Sequence, residues 1–162
     1  MNLVQELAEL ALATRLKRLS ERLSQDISKI YKELNVDFEA KWYLILELLK
    51  REKVLGITEI SDSLQLSHPA VVQFVDQLLK RQLIIAFTDK KDARRRLVSL
   101  SPEGKKLLQQ IDPVLKVIKE ENRLWIDQAS HDILLIITEL EKALDERSMY
   151  QRVKAGLDGK KD

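Results

Sequence analysis

The sequence contains no cysteine among its 162 residues. Disulfide bonds, thiolate metal ligands and cysteine-based redox sensing are therefore excluded. Glycine and proline are also scarce, with 4 and 3 residues respectively. Because these two residues are the strongest interruptions of regular structure, their scarcity predicts a chain dominated by helix.

Long apolar runs are absent as well. No stretch approaches the roughly 18 apolar residues that a membrane-spanning helix needs. The first ten residues, MNLVQELAEL, carry two acids and no base, which is unlike a secretory leader. We therefore expect a cytoplasmic protein without a membrane partner.

The overall charge is nearly balanced. Lys and Arg number 28 against 26 Asp and Glu, a formal net charge of +2. This balance does not by itself indicate a nucleic-acid partner, so any such function has to rest on a local concentration of charge.

Recognisable catalytic patterns are missing too. The two histidines, His68 and His131, stand next to Ser67 and Asp132 along the chain, where side chains diverge and cannot converge on a substrate. The sequence contains neither a glycine-rich phosphate loop nor an H-E-x-x-H zinc motif. We therefore predict that the chain is not an enzyme and needs no metal or cofactor.

Two closely spaced helices are predicted between Ile57 and Lys80. The shorter one spans residues 57–64. The second follows a link of three residues, with Ser67 as its N-cap and Pro69 in its first turn. Such a tight connection is typical of a helix-turn-helix.

The second of these helices has two different faces. Its buried face is predicted to carry Val71, Phe74, Val75 and Leu78 at helical spacing. The opposite face carries mostly short or amide-bearing side chains and few acids. Such a surface can approach the base edges in a major groove closely. Its members are His68, Ala70, Gln73, Gln77 and Lys80.

A charged hairpin is predicted directly after the helix-turn-helix. Residues 83–87 and 97–100 are strand candidates, and residues 54 and 55 are expected to add a short third strand. The tip between them, from Asp89 to Arg96, holds five basic residues against two acids, a net charge of +3. The interpretation we favour is a wing whose cations enter a minor groove, and the alternative is a solvated hairpin. Its predicted DNA-contacting residues are Lys90, Lys91, Arg94 and Arg95, and Ser67 joins them as a phosphate contact.

This segment resembles the MarR family of winged-helix regulators. The wing signature of that family corresponds here to D-K-K-D-A-R, residues 89–94, and its next signature to L-V-S-L-S-P-E-G, residues 97–104. Lys91 replaces the arginine that the family usually has, and so keeps the charge but loses the bidentate fork. The resemblance extends over roughly residues 7–144. It implies a mainly α fold with a small β-hairpin wing, in which long N- and C-terminal helices form a dimer.

Four segments are predicted on this basis. Residues 1–34 form an N-terminal dimerisation helix, either continuous or broken near Ala13. Residues 35–101 form the winged helix-turn-helix lobe, residues 102–147 the C-terminal dimerisation helices, and residues 148–162 a flexible tail. Ser101 and Ser130 are the expected caps of the two C-terminal helices.

The predicted N-terminal helix of about 30 residues would be about 45 Å long, which is longer than a small lobe can cover. We therefore expect a homodimer, with a fold-back onto the same chain as the alternative.

Three aromatic residues, Tyr31, Phe38 and Trp42, admit two interpretations. The resemblance implies a pocket for a small aromatic effector between the dimerisation and DNA-binding parts. The simpler interpretation, which we favour, is that all three are core residues.

The predicted function is that of a sequence-specific DNA-binding transcription regulator. It is expected to act as a homodimeric repressor on a pseudo-palindromic operator and to be released by a small-molecule effector. Two alternatives stay open at this point. One is a DNA-binding module that regulates an acetyltransferase partner, and the other is a winged-helix module for protein–protein contacts.

Overall fold

The computed structural model describes residues 2–90, 92 and 95–159 of the chain. Helices dominate it, and one three-stranded antiparallel sheet completes it. The predicted fold class, mainly α with a small β wing, is confirmed. The chain divides into two compact units, residues 1–110 and residues 111–162.

The N-terminal helical region of the first unit is broken near its start. Helix α1 covers Leu3–Glu6, a 3-10 turn covers Ala8–Ala11, and helix α2 covers Leu12–Glu33. The break therefore precedes the expected position at Ala13. Its physical cause is Ala8, whose positive φ of 43° a continuous helix does not allow.

The sheet of the first unit joins the hairpin to a strand that precedes the helix-turn-helix. A 3-10 turn, Ala40–Trp42, leads into helix α3, Tyr43–Glu52, which is followed by strand β1, Val54–Gly56. Strands β2, Ile84–Thr88, and β3, Arg96–Leu100, form the hairpin. The order is β1-β3-β2, so the predicted third strand pairs with the wing, with Leu55 opposite Val98.

The helix-turn-helix consists of α4, Ile57–Leu64, and α5, His68–Lys80. Gln65 ends α4 in the left-handed conformation, with φ 51°. The turn is closed by the Ser61 hydroxyl, which donates to the carbonyl of Leu66 at 2.6 Å. Both helices and their short connection agree with the sequence-based prediction.

The core of this lobe lies between α3, α4, α5 and the inner face of the sheet. Its members are apolar side chains that are at most 2 % exposed: Ile45, Leu46, Leu49, Ile60, Val71, Val75, Leu78, Ile84 and Val98. Phe74, which the helical spacing also placed inside, is only half-buried.

Helix α6, Pro102–Ile126, follows the wing and continues through Pro113. Its start is fixed by Ser101, whose Oγ accepts from the backbone N–H of Gly104 at 2.9 Å and donates to the carbonyl of Gln82 at 2.6 Å. The expected cap at Ser101 is therefore present.

Two further helices complete the second unit. Helix α7 covers Ile133–Glu146, and its N-cap is Asp132 rather than the expected Ser130. The Ser130 hydroxyl lies instead 2.9 Å from Nδ1 of His131. Helix α8, Met149–Asp158, is capped by Ser148 and occupies the segment for which a flexible tail was predicted. Met149, Val153 and Leu157 recur at helical spacing and could have indicated this helix.

Candidate nucleic-acid interface

Helix α5 presents its N-terminus at the surface of the lobe. Ser67 is its N-cap, and the Ser67 Oγ accepts from the backbone N–H of Ala70 at 3.4 Å. Pro69 lies in the first turn, where its missing N–H costs nothing. The hydroxyl of Ser67 keeps its own proton for a further acceptor, such as a phosphate oxygen.

The outward face of α5 carries the side chains that the sequence singled out for bases. His68 and Gln73 are exposed, and Ala70 is half-buried between them. The opposite face is held rigidly, because Val71, Val75 and Leu78 are fully buried. The helix therefore offers polar groups outward on a fixed backbone.

Gln77 was predicted to face bases, but its position in the structure is different. It is half-buried, and its Oε1 accepts a hydrogen bond from the indole Nε1 of Trp42 at 2.9 Å. This hydrogen bond connects α5 to the segment before α3.

A second link joins the end of α5 to the same segment. The guanidinium of Arg81 lies 4.6 Å from the ring centroid of Trp42, a distance typical of cation–π attraction. It also pairs with Asp37 at 3.2 Å. No local sequence pattern predicts that Arg81 contacts Trp42 and Asp37. Some forty positions separate Arg81 from both residues, which lie in the segment before α3.

The wing tip is described in part. Lys90 is exposed, as its predicted contact with DNA requires. Lys91 and Arg94 were predicted to bind DNA as well, and they lie outside the described residues.

Arg95 was also predicted to bind DNA, but it is engaged within the lobe. One guanidinium nitrogen donates to Oε1 of Glu59 at 2.9 Å, and another lies 3.6 Å from Oδ2 of Asp89. Two carboxylates therefore balance the charge of Arg95. The net charge of +3 predicted for the wing tip had included this arginine.

Glu59, the partner of Arg95, also forms a hydrogen bond with the backbone. Its Oε2 accepts from the backbone N–H of Gly56 at 2.6 Å. This hydrogen bond, with the help of Arg95, holds the pKa of the Glu59 carboxyl below its ordinary value of 4.5. The carboxylate is therefore charged at neutral pH and available to Arg95.

Arg96, the next residue, also forms a hydrogen bond with a helix of the helix-turn-helix. Arg96 donates to Oδ1 of Asp76, on α5, at 3.1 Å. The acid at position 76, which would repel a phosphate, is in this way neutralised by the wing. The sequence held both residues but gave no sign of their pairing, since 20 positions separate them.

The three aromatic residues of the suggested effector pocket form a buried chain. Tyr31, Phe38 and Trp42 are at most 5 % exposed. Tyr31 and Phe38 pack edge to face with centroids 5.0 Å apart, and Phe38 and Trp42 do so at 6.0 Å. This packing favours the interpretation as core residues.

Metal sites and membrane spans are both absent from the part of the chain that the structure describes. Among residues 2–90, 92 and 95–159, no group of three His, Asp or Glu side chains is arranged to hold a metal ion. Over the same residues, no helix combines the length and apolarity that a membrane span requires.

A rigidly packed helix with an exposed polar face, beside a hairpin with a basic tip, defines the class of winged helix-turn-helix proteins. The sequence model of the MarR family matches residues 38–95, which contain α3, β1, both helices of the helix-turn-helix and β2. This match lies within the winged helix-turn-helix lobe, and that lobe is therefore similar in sequence to proteins of the MarR family. MarR-family proteins are transcription regulators and not enzymes, in agreement with the prediction that this chain is not an enzyme.

Solved structures show the same fold over most of the chain. A mutant MarR from E. coli complexed with operator DNA is 16% identical, with a TM-score of 0.68 over 89% of this chain and 99% of that chain. The S. aureus MepR–DNA complex is 20% identical, with a TM-score of 0.66 over 83% and 96%. The PcaV transcriptional regulator from Streptomyces coelicolor, in complex with its natural ligand, is 21% identical, with a TM-score of 0.60 over 85% and 96%. None of the curated protein sequences matches the chain.

Proposed function

We propose that this protein is a sequence-specific DNA-binding transcription regulator that acts as a homodimer. The observation that carries the proposal is helix α5, which is capped by Ser67, anchored by a fully buried face and exposes His68 and Gln73. Two relatives of the same fold, E. coli MarR and S. aureus MepR, were crystallised with DNA.

Base reading is assigned to the N-terminal half of α5. An amide side chain such as Gln73 can bond two groups of an adenine edge at once, and His68 can donate to or accept from a purine. Ala70, between them, leaves room for close approach or for a thymine methyl group. Gln77 is assigned a smaller part, since it is half-buried and its Oε1 already accepts a hydrogen bond from Trp42.

Phosphate and minor-groove contacts are assigned to the ends of this surface. Ser67 is exposed and its hydroxyl can donate a hydrogen bond, and Lys90 is exposed at the wing. Lys91 and Arg94 belong to this set on sequence grounds. Contacts of this kind orient the protein on the duplex and supply a strongly salt-dependent part of the affinity.

Dimerisation is supported by apolar side chains that each unit leaves exposed. In the first unit, Leu3, Leu10 and Leu12 are 50 % exposed or more. In the second, every residue of α7 is described and none is buried, although α7 carries Leu134, Leu135 and Leu140, each at least 52 % exposed. So much exposed aliphatic surface is typical of an interface. A closed two-fold dimer would place two α5 helices about 34 Å apart, one turn of DNA.

Repression is the output that we propose, because a dimer lying across a promoter excludes the polymerase. Release by a small-molecule effector stays a prediction. Since Tyr31, Phe38 and Trp42 are packed against each other, we propose that they act as core residues rather than as the lining of a pocket.

The salt dependence of DNA binding tests whether the wing residues contact phosphates. We expect Lys90→Ala to lower the slope of log K against log salt by roughly 0.9 for each phosphate that is no longer neutralised, uniformly across duplexes. Gln73→Ala should leave the slope unchanged and reduce the preference for the selected site. An unchanged slope in a triple Ala variant of Lys90, Lys91 and Arg94 would contradict the wing assignment.

A further inference from the structure

Two consecutive arginines at the base of the wing have partners on two different helices. Arg95 donates to Glu59, in the first turn of α4, and Arg96 donates to Asp76 of α5. Neighbouring side chains of an extended segment point to opposite faces. The two arginines therefore connect the base of the wing to both helices of the helix-turn-helix.

We propose that Arg95 and Arg96 are positioning residues that fix the wing against the helix-turn-helix and make no contact with DNA themselves. The inference rests on the proposed DNA-binding function and assigns a distinct role to residues of that surface. It reverses the sequence-based prediction for Arg95, and it adds Glu59 and Asp76 to the groups that determine where the wing lies.

The pair of Arg95 and Glu59 belongs to a larger junction. The Glu59 carboxylate holds the backbone N–H of Gly56 with one oxygen and Arg95 with the other. Gly56 ends β1 and pairs with Leu97 of β3, the strand that Arg95 precedes. A single carboxylate therefore links the start of α4, the end of β1 and the base of the wing.

The absence of a side chain at Gly56 leaves space for this junction. A Cβ at that position would lie 3.1 Å from Oε2 of Glu59 and 3.6 Å from an Arg95 guanidinium nitrogen. The backbone of Gly56 has an ordinary extended conformation, with φ −85°, so the need for glycine here is one of space.

The hairpin also holds Arg95 from its other side. Asp89 lies 3.6 Å from the guanidinium, and its backbone N–H donates to the carbonyl of Arg95 at 3.0 Å. The N–H of Arg95 donates to the carbonyl of Asp92 at 2.9 Å. Arg95 is thus fixed in backbone and side chain, and a guanidinium shared by two carboxylates attracts a phosphate weakly.

Positioning, rather than stability, is the consequence to expect. The side chains of Arg95 and Glu59 are about half exposed, 48% and 47%, and exposed ion pairs contribute little to the free energy of unfolding. The orientation of the wing, however, decides whether its tip cations meet the minor groove while α5 lies in the major groove.

The first test is a double-mutant cycle on DNA affinity with Glu59→Gln and Arg95→Gln. Glutamine at 59 keeps an acceptor for Gly56 and removes only the charge. The probes are the selected site and a mixed-sequence duplex of about 30 base pairs, long enough for two half-sites. We expect each single variant to bind the selected site between about 2-fold and 100-fold more weakly, the double variant to be no weaker than either, and the salt slope to stay unchanged.

The matched control is the pair of Arg51 and Glu47 on α3. It has the same residue types and the same 2.9 Å distance, but it lies within one helix. Arg51→Gln and Glu47→Gln should leave the affinity for the selected site within about 2-fold of wild type. A salt slope lowered by roughly 0.9 in Arg95→Gln, with no effect of Glu59→Gln, would overturn the proposal by making Arg95 a phosphate contact.

The second test needs no DNA and separates this proposal from the proposed function. Amide hydrogen exchange at Asp89 and Arg95 reports the hairpin bonds directly, and Glu59→Gln leaves the sequence around both amides unchanged. We expect severalfold faster exchange at both positions in Glu59→Gln and unchanged exchange in Glu47→Gln. Unchanged exchange in Glu59→Gln would overturn the positioning role, whereas a wild-type protein that binds no duplex at low salt would overturn the proposed function alone.

Discussion

Single residues decide how the wing joins the rest of the first unit. Gly104 shows this most plainly, because a Cβ there would lie 2.0 Å from the carbonyl oxygen of Leu83. The glycine that ends the L-V-S-L-S-P-E-G segment is therefore explained by the close approach of α6 to the start of the hairpin. The sequence contained the glycine and its place in a signature, but not the backbone that it faces.

At the residue scale we predict that Gly104→Ala destabilises the protein by about 1–3 kcal/mol, because backbone has to move to admit the methyl group. Gly156→Ala is the control. A Cβ at Gly156 has nothing within 4 Å, and an alanine inside α8 should stabilise the helix by roughly 0.5–1 kcal/mol. Urea unfolding measures both. Equal stability of the two variants would contradict the close approach at Gly104.

Elements followed the sequence closely wherever their signals were local. The Ser67 cap, the apolar spacing of α5 and the β-branched runs of the hairpin are short-range patterns, and the helices and strands appear where these patterns predicted them. The break at Ala8, the cap at Asp132 and helix α8 depend on choices between neighbouring residues of similar propensity. No local pattern could predict the contacts between residues that are far apart in the sequence. These are Arg95–Glu59, Arg96–Asp76 and Trp42–Gln77.

At the element scale, Asp132 replaces Ser130 as the residue that starts α7. Its Oδ1 accepts from the N–H groups of Leu134 and Leu135 at 2.9 and 3.4 Å, and Arg123 pairs with its other oxygen at 3.2 Å. The bond from Leu134, followed by that from Arg123, lowers the pKa of Asp132 from its ordinary 3.8. The carboxylate therefore caps the helix at every pH above about 4.

We predict that Asp132→Ala speeds hydrogen exchange of the first-turn amides of α7, whereas Ser130→Ala leaves it unchanged. A lowered pKa means that the contribution of the cap is present above the unfolded-state pKa and is lost as the pH falls through the folded-state value. The difference between wild type and Asp132→Ala should accordingly be constant near neutral pH and shrink in acid. A larger effect of Ser130→Ala than of Asp132→Ala would contradict this assignment.

Exposed aliphatic side chains occur in both units of the part of the chain that the structure describes. Leucines and isoleucines on α1, α2 and α7 account for many of them. A second copy of the chain is the partner that we propose for these surfaces. With a chain mass of 18.8 kDa, monomer and dimer are readily distinguished in solution.

At this scale we predict that Leu140→Glu shifts sedimentation toward the monomer, because a charge would have to be buried in the interface. Ile85→Glu is the matched control. Ile85 is 51% exposed on β2 and Leu140 is 52% exposed on α7, so the two substitutions remove similarly exposed aliphatic side chains. Ile85→Glu should remain dimeric. A monomeric wild-type protein, or equal effects of the two substitutions, would contradict the proposed interface.

We propose that the α5 helices of two copies together read a specific DNA sequence. Selection of bound fragments from a genomic library, at about 150 mM salt where weak electrostatic binding is suppressed, tests it most directly. We expect recovery of a pseudo-palindromic site with half-sites about one helical turn apart. Recovery of fragments without a shared sequence would contradict the proposal.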